Sequence, residues 1–163
     1  MIIKLKNKDT LIVDDFKLKC CVGKGGLKKN KVEGDGATPK GKFSLGKLYW
    51  RNDRIKKPKT SLNCKKITKN LGWCTDSKSK LYNKEFKIHK KIKHEKLMRK
   101  DYKYNLFIEI NYNKKNTIKN KGSAIFIHLT KNYKPTLGCI AISENDFLVL
   151  AKLVNKKSKI IIN

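Results

Sequence analysis

The chain has 163 residues, 41 of them Lys or Arg against 13 Asp or Glu, and a formal net charge of +28. That length suits one domain, residues 1–163, with a core that needs no disulfide or metal staple, and no run of about 18 apolar residues encodes a membrane-crossing helix. Only three of the basic residues are Arg (Arg51, Arg54 and Arg99), and Lys is scattered along the whole length. Such charge favours non-specific attraction to polyanions and argues against specific nucleic-acid recognition, which leans on Arg forks and stacked rings.

The N-terminus, Met1-Ile-Ile-Lys-Leu-Lys-Asn-Lys-Asp9, has neither a long apolar stretch nor a small-residue cleavage site. It reads as a first strand, with no visible signal peptide, so the start alone suggests the cytoplasm. Ile2 to Leu5, Thr10 to Val13 and Phe16 to Val22 are β-type runs, with turns at Asn7 to Asp9 and Asp14-Asp15. Gly23-Lys-Gly-Gly26 lacks the spacing of a phosphate loop and reads as a tight turn. Lys31 to Gly41 is dense in turn formers and carries Glu33, Asp35 and Thr38, and a strand-like Lys42 to Trp50 follows. A loop of this length either lines a site or is a cluster of structural turns.

Residues 51–105 carry little periodicity. They predict an irregular excursion across the sheet face, with a short helix around His94 to Lys100. Leu106 to Tyr112 alternates as a strand, and Asn113 to Gly122 is a polar loop. Ser143 is an N-cap, with Glu144 and Asp146 in the first turn and an apolar stripe of Phe147, Leu150, Ala151 and Val154. Lys159 to Ile162 is a closing buried strand. The count is mainly β with one C-terminal helix.

The five cysteines form no CxxC pair, and His89, His94 and His128 show no metal-ligand spacing, so neither a zinc site nor a cofactor is expected. An odd count with a vicinal Cys20-Cys21 pair does not make a disulfide framework. The chemistry concentrates in Ser123-Ala-Ile-Phe-Ile-His128-Leu and Pro135-Thr-Leu-Gly-Cys139-Ile-Ala-Ile142. Alternation puts Ala124, Phe126 and His128 on one face and Ile125, Ile127 and Leu129 on the other. A thiol close to an imidazole is the minimum for cysteine nucleophilic catalysis, and Gly138 allows a close approach or a positive φ before Cys139. A buried strand histidine beside an inert core cysteine fits the same spacing. If His128 is the base, the imidazolium should hold the Cys139 thiol below its ordinary value of about 8.5.

The ordered set of segments resembles the L,D-transpeptidase catalytic domain (the YkuD-like group). Glu33-Gly-Asp-Gly-Ala-Thr-Pro-Lys-Gly-Lys-Phe43 resembles the family's EGDGxTPxGxF. Arg51-Asn-Asp-Arg54, Tyr82-Asn83, Arg99-Lys-Asp101 with Tyr104, Gly122 to His128 and Thr136 to Ile142 follow in family order, from about Gly23 to the end. The resemblance implies a β-rich fold, Cys139 as nucleophile acylated by a peptidoglycan stem peptide, His128 as general base, and the carbonyl just after the histidine orienting its ring. Main-chain N–H groups of Gly138 and Cys139 would then meet the oxyanion, and Arg99, Arg51, Thr136 and His94 are candidate substrate contacts. The commoner family pattern has a second histidine where Leu137 stands and an arginine where Ala141 stands.

Arg51 and Arg99 are also suited to structural pairing with Asp53 or Asp101. The family function implies peptidoglycan peptides or precursors as partners, and a periplasmic or wall location if the protein is exported. A hydrolase with the same Cys–His pair (an L,D-carboxypeptidase or amidase) and a basic polyanion-binding module are the alternative readings.

Overall fold

The computed structural model describes residues 1–88 and 91–163; His89 lies outside them. The chain opens with β1 (Ile2–Lys6), β2 (Thr10–Val13) and β3 (Phe16–Cys21), an antiparallel meander. Ile3 and Leu5 of β1 point inward opposite Val13 and Leu11 of β2, while the intervening lysines face water. Alternation with one buried face fixes this register, because a slip of one residue would bury the lysines. Two short strands, β4 (Leu27–Lys28) and β5 (Thr38–Pro39), pair in parallel and tie down the glycine-rich loop between them.

The ten-residue β6 (Gly41–Trp50) organises the rest. The middle region contributes β7 (Cys64–Lys66), β8 (Leu71–Cys74), β9 (Glu85–Lys87) and β10 (His94–Lys96); β11 (Leu106–Ile110), β12 (Phe126–Leu129), β13 (Ile140–Ile142), α1 (Glu144–Leu153) and β14 (Lys159–Ile162) complete the chain. The main sheet runs β11-β12-β13-β3-β2-β1-β14-β6-β7, and β11 pairs again with β6, so the ladder closes on itself. The last strand lies parallel to the first, Ile3 beside Ile160. Closure leaves no free edge between β6 and β11, where Phe107 faces Tyr49 and Ile108 faces Leu48.

The closed sheet has two apolar sides. Its interior holds Ile3, Leu11, Val13, Leu48, Ile108, Ile127, Ile140 and Ile160, sealed by Phe147, Leu150 and Ala151 of α1. The helix starts where its sequence dictates: Ser143 Oγ accepts from Asp146 N at 3.1 Å. The opposite side carries a second cluster of Tyr49, Phe107 and Phe126, covered by Ile67, Leu71, Trp73 and Leu97. Its rings are tightly arranged, with Tyr49 stacked on Phe107 at 4.5 Å and Trp73 edge-on to Phe126 at 5.0 Å.

The middle region is irregular for much of its length, and within it a three-stranded sheet, β10-β8-β9, forms the cover; the helix expected around His94 to Lys100 does not form. His94-Glu-Lys96 pairs antiparallel with Gly72 to Cys74 instead. The segment has no stripe at helical spacing with which to bury a face, whereas strand pairing brings its one core side chain, Leu97, under the sheet.

Candidate active site

Strands β12 and β13 run parallel, with Ile127 beside Ile140 and His128 beside Ala141. This register sets Cys139, the residue before β13, across from Phe126, one pleat before His128. Phe126 and Cys139 share the second apolar cluster, on the face opposite Ile125, Ile127 and Leu129. The turn into β13 is held from within: Thr136 Oγ1 donates to the Cys139 carbonyl at 2.6 Å and accepts from Gly138 N at 3.1 Å. Gly138 has φ 137°, and a Cβ there would lie 2.9 Å from the Ala37 carbonyl oxygen, so only glycine fits. Behind the turn packs the segment 22–38, through Thr136 N to the Val22 carbonyl and Lys24 N to the Thr136 carbonyl, both 2.9 Å.

The Cys139 thiol is buried. Its Sγ accepts from Phe126 N at 3.4 Å and donates to the Ala124 carbonyl at 3.2 Å. Ala124 is itself in the left-handed region, φ 54°. That conformation is held by Asn83, whose Oδ1 accepts from Ala124 N at 3.2 Å and from Trp73 Nε1 at 3.0 Å. Asn83 Nδ2 donates to the carbonyls of Tyr112 and Asn113. Burial pushes the Cys139 thiol up to about 12, against the opposing pull of the Phe126 N–H.

His128 is equally enclosed. Its Nδ1 lies 3.0 Å from the Leu129 carbonyl. A carbonyl only accepts, so Nδ1 carries the proton and Nε2 keeps its lone pair. Burial drives the imidazole down to about 4; the Leu129 carbonyl works the other way, and Lys103 and Arg99 add to the depression. The pair therefore rests as neutral thiol and neutral imidazole. The imidazolium that would lower the thiol is disfavoured here, because burial moves both groups towards their neutral forms.

Cys139 and His128 line one cleft of about 570 Å³, together with Lys31, Glu33, Arg99, Tyr104 and Thr136. Tyr104 packs its ring 5.3 Å from that of His128 and donates to Glu95 Oε1 at 3.1 Å. Its hydroxyl is close enough to Cys139 to favour the thiolate. Arg99 bridges Asp101, at 2.6 Å from Oδ2, and Glu95, at 3.3 Å. The Arg99 guanidinium is thus partly committed to carboxylates while still facing the cleft. On the opposite wall, Glu33 accepts from Ser123 Oγ at 2.7 Å and from Tyr82 Oη.

Of the candidate residues read from sequence, the structure brings Cys139, His128, Gly138, Thr136 and Arg99 to one place. Arg51 is not there. It is buried, clamps Asp53 through Nε and Nη2, and donates from Nη1 to the Arg99 carbonyl at 2.7 Å, so it braces Arg99 from behind. His94 is also elsewhere, its Nδ1 2.6 Å from the Ile92 carbonyl and its ring against Phe86 beside a separate pocket. Leu137 stands 77% exposed at the cleft mouth and Ala141 is buried, so neither position supplies a polar group.

The Gly138 N–H is already engaged by Thr136 Oγ1. It would have to leave that partner to meet an oxyanion. Lys31, Tyr104 with Glu95, and the Asn83–Ala124 support were missed as parts of the site. All reach Cys139 from segments distant in sequence, and only the Tyr82-Asn83 and Tyr104 motif positions hinted at them.

The sequence model of the L,D-transpeptidase catalytic domain (YkuD) matches residues 2–162. A search of curated proteins returned no match. Among solved structures, the helical cell shape determining protein Pgp2 from Campylobacter jejuni has a similar fold, with a TM-score of 0.56 and 18% identity. The alignment covers 99% of this chain and 46% of that one, so the chain spans about half the length of that protein. With the family model matching nearly end to end, the chain belongs to the L,D-transpeptidase catalytic domain family.

Proposed function

We propose that this protein is a cysteine acyltransferase, an L,D-transpeptidase acting on peptidoglycan stem peptides, with Cys139 as nucleophile and His128 as general base. The observation that carries this reading is the placement of Cys139 in a single cleft with an imidazole whose Nδ1 is fixed on the Leu129 carbonyl, leaving Nε2 as a proton acceptor. A neutral imidazole is the form a general base needs, and it is neutral at every pH well above about 4.

The first half-reaction moves the Sγ proton to His128 Nε2 while sulfur bonds to the carbonyl carbon of the L-centre at stem position three. The carbonyl electron pair moves to oxygen and returns as the C–N bond breaks. The imidazolium gives its proton to the departing D-residue amine. In the second half an amine of another stem attacks the thioester, His128 takes the amine's proton, and sulfur leaves and is reprotonated. Splitting one amide exchange through a thioester lowers each barrier. In the resting structure the thiol hydrogen is on the Ala124 carbonyl, so the S–H turns towards Nε2 when substrate fills the cleft.

Peptide carboxylates suit the rim, where Arg99, Lys93, Lys103 and Lys134 gather. Among the described residues no helix is long and apolar enough to cross a membrane. The reading places the work of the protein where stem peptides are crosslinked, in the periplasm or wall, and a fusion of its N-terminus to an export-dependent reporter tests that placement. Incubation with disaccharide tetrapeptides and mass analysis tests the reaction. Crosslinked dimers that vanish in Cys139→Ala are expected. Shortened monomers alone would make the protein a hydrolase using the same pair, and unchanged substrate would contradict the reading.

A further inference from the structure

Among the described residues, Lys31 is the one lysine whose side chain is almost wholly enclosed, 3% exposed, and its stem leads to the nucleophile's turn. The stem crosses Gly122, where a Cβ would sit 2.7 Å from Lys31 Cε and 3.0 Å from Cδ. Gly122 has φ 101°, so a side chain there is excluded by both backbone and space. The ammonium ends 3.6 Å from the point where a Cβ on Gly138 would be, and it lines the same cleft as Cys139 and His128. One of its protons goes to Asp35 Oδ1 at 2.6 Å, and the Val32 carbonyl is at 3.5 Å. An ammonium carries three donors, so one is left for the cleft.

Asp35 keeps this cation in place. It also accepts from Val32 N at 3.0 Å and Ala37 N at 2.9 Å. Burial works upwards on its carboxyl, but the Lys31 hydrogen bond and the two N–H groups outweigh it and hold it at about 2. Asp35 is thus ionised well above that value. Meanwhile the Gly138 N–H is taken by Thr136, and Leu137 and Ala141 bring no polar side chain to the turn.

We propose that Lys31 supplies the positive charge to the oxyanion of this site, hydrogen-bonding the carbonyl oxygen as the S–C bond forms at Cys139. The inference rests on the acyl-transfer reading above. Lys31 transfers no proton; the electron pair displaced onto oxygen meets a preorganised cation and returns when the leaving group departs.

The test compares two reactions of Cys139 in the intact chain. A carbapenem acylates the thiol through an oxyanion, whereas iodoacetamide alkylates it at a saturated carbon without one. Wild type, Lys31→Arg, Lys31→Met and the double variant Lys31→Met/Asp35→Asn are followed by intact mass. The double variant removes both charges, so the defect can be read even if the buried Asp35 left alone unfolds Lys31→Met. Acylation should fall by about 100-fold in both Met variants, as for loss of an oxyanion donor, with alkylation reduced about ten-fold at most and Lys31→Arg retaining most acylation. Acylation by the double variant within about three-fold of wild type, or an equal fall in both reactions, would overturn the assignment. Wild type that alkylates at Cys139 but is never acylated would remove the underlying acyl-transfer reading, and this one with it.

Discussion

The Cys139 thiol donates to the carbonyl of Ala124 at 3.2 Å, and Ala124 holds that carbonyl in place from a left-handed conformation, φ 54°. A non-glycine residue there stores roughly 1–2 kcal/mol, and the store persists because Asn83 and the aromatic cluster over-determine it. Cys139 is therefore parked as a neutral thiol among apolar rings. Burial raises its pKa to about 12. Alkylation by a small neutral reagent should consequently climb through alkaline pH with no plateau at acidic or neutral pH. A reactive limb below neutrality, abolished in His128→Ala, would mean that the pair rests as thiolate and imidazolium.

The buried imidazole also makes a claim on stability. His128 titrates at about 4 in the fold against 6.5 for the free group, so between these values the unfolded chain binds more protons. The contribution is complete above 6.5 and is lost as pH falls through 4. It amounts to on the order of 3 kcal/mol at most. Urea unfolding at neutral pH and near pH 4.5 should show a smaller difference for His128→Gln than for wild type. Equal differences for the two proteins would mean that His128 is not held neutral by the fold.

Asn83 is the junction between the covering sheet and the Ala124 carbonyl on which the Cys139 thiol rests. Its side chain is fully enclosed and meets Trp73, Ala124, Tyr112 and Asn113, and its own φ is 58°. Asn83→Ala leaves a buried indole N–H and several main-chain groups unpaired and should cost about 2–4 kcal/mol, with acyl transfer falling as Ala124 is released. A denaturation midpoint unchanged from wild type would show that these bonds are replaced by water at no cost.

How far the sequence disclosed this follows from which interactions are local. The meander of β1 to β3 and the helix cap at Ser143 were legible because alternation and capping act within a few residues. His128 and Cys139 were legible as a pair because both lie at the ends of short apolar runs. The β10 strand was not: His94-Glu-Lys96 has no alternation of its own and is a strand only because β8 offers it an edge. Likewise Arg51 and Arg99 look equivalent in sequence, each two residues before an aspartate. Only packing sends the first behind the cleft and the second to its wall. Lys31 is one lysine among many until the fold buries it.

The central claim is that Cys139 carries the acyl group, and the most direct measurement is the intact mass of the protein quenched in acid during turnover of a tetrapeptide stem. The account predicts an added mass equal to the tripeptide acyl fragment, released by hydroxylamine and mapped to the peptide bearing Cys139. Cys139→Ala should show none while folding normally, and joint replacement of Cys20, Cys21, Cys64 and Cys74 should leave the adduct intact. An adduct on another cysteine, or turnover with no covalent species in wild type and undiminished in Cys139→Ala, would contradict it.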